Sequence, residues 1–164
     1  IAGLCHMMVH AVMKISGFFC AGAVMHQTEK NYIYELDGLG YNMPVTFTAL
    51  LISGLSLTGI PLFGGFVSKW SIVRALLDGL GPIGHAGVIV LLYSALMTGI
   101  YMLTIIVRAF FPNRGYMKSA SEGNKDPNWL MKLPLVIFSI VTIIMGIYAA
   151  PMMNLVNSIA QGIL

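Results

Sequence analysis

Leu57-Thr58-Gly59-Ile60-Pro61-Leu62-Phe63-Gly64-Gly65-Phe66-Val67-Ser68-Lys69 lies inside an apolar stretch that runs from Pro44 to Leu80. A continuous helix over 44–80 would measure about 55 Å, far more than the roughly 30 Å of a bilayer's hydrocarbon layer. Pro61 removes a backbone donor and disfavours helix at Ile60, and Gly59, Gly64 and Gly65 weaken helix on either side. The stretch therefore reads as broken near 59–66. It is either one crossing by a discontinuous helix or two crossings joined by a tight turn.

Upstream, residues 1–27 are apolar except for His6, His10, Lys14, Ser16 and His26, and a helix of that length reaches about 40 Å, enough to span. Residues 28–43 carry Glu29, Lys30, Glu35 and Asp37 and read as a loop ending at Pro44, a residue suited to a helix N-terminus. Downstream, Gly79-Leu80-Gly81-Pro82-Ile83-Gly84 reads as a second break, and 86–111, uncharged until Arg108, as a span. The loop 112–132 holds Arg114, Lys118, Glu122, Lys125, Asp126 and Lys132, with Trp129 at headgroup level. Residues 133–150 form the last span, and the tail 151–164 reads as an interfacial helix. The fold class is thus all-α: a single transmembrane unit over 1–164, a polytopic helical bundle of about four spans including one discontinuous helix.

Composition agrees. Of the 164 residues, 57% are hydrophobic and 9% charged, against about 25% charged in a soluble domain. Nine basic and six acidic side chains cannot cover a water-facing surface of this size, which excludes a soluble enzyme, a nucleic-acid module and a disordered tail. The net charge of +3 comes mostly from the loop 112–132, a sign of membrane topology rather than of phosphate binding. With one broken crossing, loops 28–43 and 112–132 share a side that collects Lys30, Arg114, Lys118, Lys125 and Lys132, while Gly81–His85 has no Lys or Arg. The positive-inside rule favours that topology and makes the basic side cytoplasmic. Ile1 opens within an apolar run, with neither an initiator Met nor signal-peptide features, so a piece of a longer protein is expected. Cys5 and Cys20, about 22 Å apart along one helix, cannot pair with each other.

His6, His10 and Lys14 are spaced by four and four and share one helix face. Lys14 lies near mid-span, where an ionised lysine costs at least about 3 kcal/mol. One reading is structural: Lys14 pairs with a carboxylate elsewhere and the histidines bond backbone carbonyls. The functional reading is a proton-handling chain, because imidazoles exchange protons near neutral pH and a desolvated ammonium gives up its proton more readily. A metal site is a third option from the i, i+4 histidines, but Met7 stands where a zinc protease needs glutamate and no third ligand is evident. Lys69 directly follows the Gly-Pro-Gly-Gly interruption, and non-helical backbone at membrane depth is tolerated where it lines a cavity or is buried in protein. Arg74 and Asp78, four apart, read as an ion pair near the membrane surface. Ser53, Gly54, Ser56, Thr58, Ser94, Thr98 and Gly99 read as helix-packing residues. No phosphate-binding loop and no redox-centre ligand set stand out, so no cofactor is expected.

His6-Met-Met-Val-His10-Ala-Val-Met-Lys14, followed by Gly59-Ile-Pro61-Leu-Phe-Gly64-Gly-Phe66-Val-Ser68-Lys69, resembles the C-terminal half of the antiporter-like subunits shared by respiratory complex I, membrane-bound hydrogenases and Mrp-type cation/proton antiporters. Leu36-Asp37-Gly38-Leu39 and Met43-Pro44 fit the loop before that family's broken helix, and the resemblance covers residues 1–110. It implies that His6, His10 and Lys14 belong to a polar chain along the membrane centre. It also implies that Lys69 is the ionisable residue of the broken helix, a position some members fill with glutamate. The resemblance further implies about fourteen helices in two inverted repeats, of which this chain would be the last four, without the glutamate and lysines of a first repeat. Ile15-Ser16-Gly17 departs from the Ala/Leu-rich run expected after the lysine.

The expectation is a proton-translocating antiporter-like subunit, itself without redox chemistry, of a redox-driven membrane complex. Lys69, Lys14, His10 and His6 form its proton relay, other membrane subunits and the lipid bilayer are its expected partners, and protons, with sodium as a further candidate, are the expected cargo; no nucleic acid is expected. It would sit in a bacterial or archaeal inner membrane with loop 112–132 cytoplasmic. The alternatives are an Mrp-type sodium/proton antiporter subunit without a redox partner, and a structural membrane subunit whose lysines are fixed in ion pairs.

Overall fold

Helix α1 (Ala2–Thr28) is the axis on which the other elements are laid. The computed structural model describes residues 1–112 and 125–163. Arg114, Lys118 and Glu122, on which part of the loop-charge argument rests, lie outside the described residues. After α1 come a 3-10 turn (Ile33–Glu35) and the short α2 (Leu39–Asn42), then α3 (Pro44–Thr58), α4 (Gly64–Gly79), α5 (Gly81–Phe110), α6 (Trp129–Ile147) and α7 (Ala149–Ile163). The described residues hold no strand. Helices α1, α5 and α6 are long and apolar enough to cross a membrane, and α3 is a shorter apolar helix. Phe18, Ile83, Ile89 and Val90 are each at least two-thirds exposed, the outward apolar surface expected of helices solvated by lipid rather than water.

The sequence left two courses open for the segment after Pro44, and side-chain contacts distinguish them. Phe47 and Leu50 of α3 pack with Cys20, Ala23 and Val24, near the C-terminal end of α1. Further along α3, Ser53 donates to the Met13 carbonyl at 2.7 Å, near the middle of α1. Past the break, Gly64 lies against Val9, and Ser68 reaches His6. The two half-helices therefore follow one another along α1 in the antiparallel sense, as one interrupted helix. Helix α5 returns beside both: Gly84 and Gly87 pack on Leu76 of α4, Gly99 on Thr58, Met102 on Gly54, and Phe110 on Phe47.

That course gathers the end of α1, the turn before α3, the end of α5 and the start of α6 at one end of the bundle. Gly38 N–H donates to the Arg108 carbonyl at 3.1 Å, and Arg108 faces Asp37 at 3.9 Å. Asp126 reaches across from the segment before α6 to cap α3. Its carboxylate accepts from Val45 N–H at 3.2 Å, Thr46 N–H at 3.1 Å and Thr46 Oγ1–H at 3.0 Å. Pro44 has no N–H to satisfy in that first turn, so an acidic side chain from another element completes the cap and complements the helix dipole.

Two helix starts differ from the sequence expectation. Helix α5 begins at Gly81 rather than near residue 86, because Pro82 is at home in a first turn and only Leu80 separates the two helices. Helix α6 begins at Trp129, with Pro134 inside it. Arg74 also differs: its guanidinium lies over the Trp70 ring at 5.6 Å, and among the described residues it makes no ion pair with Asp78. The indole face offers the cation a contact within its own helix. Helix α7 docks through Val156, Met152 and Met153 on the Cys5–Val9 part of α1.

Candidate functional site

The four C-terminal carbonyls of α3 explain where Lys69 goes. A helix leaves its last four C=O groups without intrahelical donors. Here Gly59, at φ 91°, closes a Schellman motif: Ile60 N–H donates to Leu55 O at 3.1 Å and Gly59 N–H to Ser56 O at 3.0 Å. The left-handed conformation at residue 59 is open to glycine without a Cβ penalty. Leu57 O and Thr58 O remain, and Lys69 Nζ donates to them at 2.6 and 3.1 Å. The ammonium thus sits at the negative end of the α3 dipole while Asp126 sits at the positive end.

The geometry of the break puts Lys69 there. Phe63 is extended and α4 starts at Gly64, so Lys69 falls in the second turn of α4, facing back to the end of α3. Gly65 makes the approach possible. A Cβ there would land on the Ser56 carbonyl oxygen and lie 3.1 Å from Met13 Sδ. Gly65 N–H instead donates to Ser56 Oγ at 3.1 Å, and Ser56 Oγ–H points to Met13 Sδ at 2.7 Å. A buried polar thread therefore joins α1, α3 and α4 at the break.

On α1, the His6 and His10 rings lie 5.4 Å apart, and His6 Nδ1 is 2.9 Å from Ser68 Oγ. Lys14 Nζ lies 5.9 Å from the centre of the Phe18 ring. His6, His10, Lys14 and Lys69 all line one cavity of about 130 Å³, closed further by Met13, Leu57 and the α5 residues Leu91, Ser94, Thr98 and Tyr101. That is room for several water molecules beside groups able to bond them. Among the described residues, no carboxylate pairs with Lys14 or Lys69. Lys14 also lines a second cavity of about 320 Å³, mostly apolar, that reaches Lys30, Asn31 and Tyr32 at the bundle end. Among the described residues, no group of three His, Cys, Asp or Glu side chains is gathered for a metal ion.

The structure thus brings all four sequence-selected side chains to one place. It adds the carbonyls of Leu57 and Thr58, the hydroxyl of Ser68, and a polar strip on α5. Ser94, Thr98 and Tyr101 are spaced by four and three, the same helical periodicity that singled out His6, His10 and Lys14. Ser94 and Thr98, which read from sequence as packing residues, thus line the cavity, and Tyr101 extends their face.

Residues 1–98 match the model of the family described as NADH:quinone oxidoreductase/Mrp antiporter, TM. The chain belongs to this family. The match contains α1, the broken helix and most of α5, and with them every residue lining the cavity but Tyr101. Similar proteins include NADH-quinone oxidoreductase subunit L of Rickettsia felis, 32% identical over 83% of this chain and 20% of that protein. Na(+)/H(+) antiporter subunit A1 of Staphylococcus haemolyticus is 30% identical over 90% of this chain and 19% of its own length. A chain of the membrane-bound sulfane sulfur reductase, an archaeal respiratory membrane complex, superposes with a TM-score of 0.75 at 28% identity, over 88% of this chain and 23% of the other. The chain therefore spans about a fifth of the length of these relatives, and within that length it is an antiporter-like integral membrane segment of the NADH:quinone oxidoreductase/Mrp family.

Proposed function

We propose that this chain is the relay-bearing part of a proton-translocating subunit in a redox-driven, multisubunit membrane complex, and that His6, His10, Lys14 and Lys69 exchange protons through water in their shared cavity. One observation carries this reading: among the described residues, Lys69 is held by two carbonyls and by no carboxylate. An ammonium locked to a buried carboxylate resists losing its proton, since that would strand the partner's charge. A neutral amine still has two N–H groups, one for each of Leu57 O and Thr58 O. Deprotonation therefore leaves both hydrogen bonds in place and no buried charge behind. Lys14 lines both the polar cavity and the cavity toward Lys30, which supports a role in connecting the cluster with the bundle end.

The match to a sodium/proton antiporter subunit supports a second reading, in which the same cluster serves cation exchange without a redox partner. Under either reading the parent protein sits in a bacterial or archaeal inner membrane, packed against other membrane subunits, with the end bearing Lys30, Arg108, Lys125 and Lys132 in the cytoplasm. The structural-subunit reading needs partner carboxylates for the lysines.

Lys14→Ala in the full-length parent complex tests the proposal. Transport in sealed vesicles is expected to fall by at least about tenfold with assembly unchanged; loss of assembly with normal transport per assembled complex would favour a structural role. Topology is tested by cysteines introduced at Asn31 and Lys125. Both are expected to react with a membrane-impermeant reagent from the same, cytoplasmic side, and labelling from opposite sides would contradict the single broken crossing.

A further inference from the structure

Ser68 is fully buried, and its one hydroxyl stands between two neighbours. Oγ lies 3.2 Å from the Gly65 carbonyl oxygen and 2.9 Å from Nδ1 of His6. A carbonyl only accepts, so the contact with Gly65 uses the single hydroxyl hydrogen. With that hydrogen on Gly65 O, what Oγ offers to His6 is a lone pair, and the 2.9 Å contact is then a hydrogen bond only when Nδ1 carries the hydrogen; a hydroxyl turned to a bare Nδ1 would give up the Gly65 contact. Both contacts are satisfied together in one neutral tautomer, Nδ1–H. The acceptor is itself fixed, because Gly65 is wedged against Ser56 and Met13.

We propose that Ser68 is a positioning residue that holds His6 in the Nδ1–H tautomer, so that His6 takes up and returns protons through Nε2 alone and ends the relay rather than conducting through its ring. Proton balance supports the terminal assignment. Conduction through the ring would add a proton at Nε2 while Nδ1 surrendered its own to Ser68 Oγ. The oxygen would then hold two hydrogens and would have to pass one to the Gly65 carbonyl, which is not a base at working pH. Uptake at Nε2 instead gives an imidazolium whose Nδ1–H bond to Ser68 is retained, and the added proton leaves from the atom at which it arrived. His10, whose ring is the neighbour at 5.4 Å, and the two lysines then carry the onward exchange. The functional half of this inference rests on the relay reading; the tautomer itself does not.

The test is solid-state NMR of the nitrogen-15 histidine-labelled parent complex in lipid, at a pH where His6 is neutral, with its signals identified by their loss in His6→Gln. The expected spectrum has a protonated Nδ1 and a bare Nε2. Ser68→Ala removes the acceptor, and the His6 signal is expected to shift toward the Nε2–H tautomer. An Nε2–H tautomer in the unmodified protein, or an unchanged His6 signal in an assembled Ser68→Ala complex, would overturn the proposal. If that variant does not assemble, the spectrum of the unmodified protein decides alone. Transport by Lys14 and Lys69 variants judges the relay separately, so failure of one reading is distinguishable from failure of the other.

Discussion

Lys69→Ala in the full-length parent complex is expected to reduce ion translocation at least about 100-fold while leaving the complex assembled. The size of the effect follows from what is removed. Lys69 is the group that α4 brings to the shared cavity, and alanine offers no exchangeable proton in its place. The structural cost is smaller. Leu57 O and Thr58 O lose their donor, worth about 1–3 kcal/mol if nothing replaces it. Water in the space left by the side chain can bond both carbonyls, and no unpaired charge is created. Translocation is read in sealed vesicles, with assembly checked on the same membranes.

Gly65→Ala is expected to have the opposite signature: loss of assembled protein, at a cost of about 3 kcal/mol or more. The new Cβ would fall on the carbonyl oxygen of Ser56, which is backbone within the last turn of α3 and cannot rotate away. Relief requires α4 to move off α3, which breaks the Gly65 N–H bond to Ser56 and carries Lys69 away from the two carbonyls it serves. Gly22→Ala on α1, where an added Cβ meets nothing within 4 Å, is the matched control and is expected to assemble normally. The yield of assembled complex and its thermal midpoint in detergent measure the difference.

These contrasting outcomes reflect how differently the two residues can be read from sequence. The interruption at Gly59-Ile60-Pro61 is a local property: proline chemistry and an αL glycine break a helix wherever they stand, so the discontinuity was legible. The shared face of His6, His10 and Lys14 follows from helical periodicity alone. The direction of the segment after Pro44 was not local. It rests on pairings such as Ser53 with Met13 and Ser68 with His6, between residues 40 and 62 positions apart. The ligands of Lys69 were invisible for another reason. They are backbone carbonyls, and a search for a side-chain partner finds only the absence of a carboxylate. Asp126 capping α3 from 80 positions away belongs to the same class, since the sequence near Pro44 shows only that its N-terminus lacks a local cap. The helix start at Gly81 fell outside expectation because a proline read as a break, Pro82, is equally a first-turn residue, and only packing decides between the two.

The most direct measurement is proton transport by the Lys69→Arg complex in sealed vesicles, normalised to assembled protein. Arginine keeps the positive charge at the end of α3 and can donate to Leu57 O and Thr58 O, but a guanidinium stays protonated at working pH. If Lys69 gives up and regains a proton in each cycle, the Arg variant should assemble and transport at a small fraction of the parental rate. Transport at the parental rate would show that a fixed charge suffices there, and would contradict the relay.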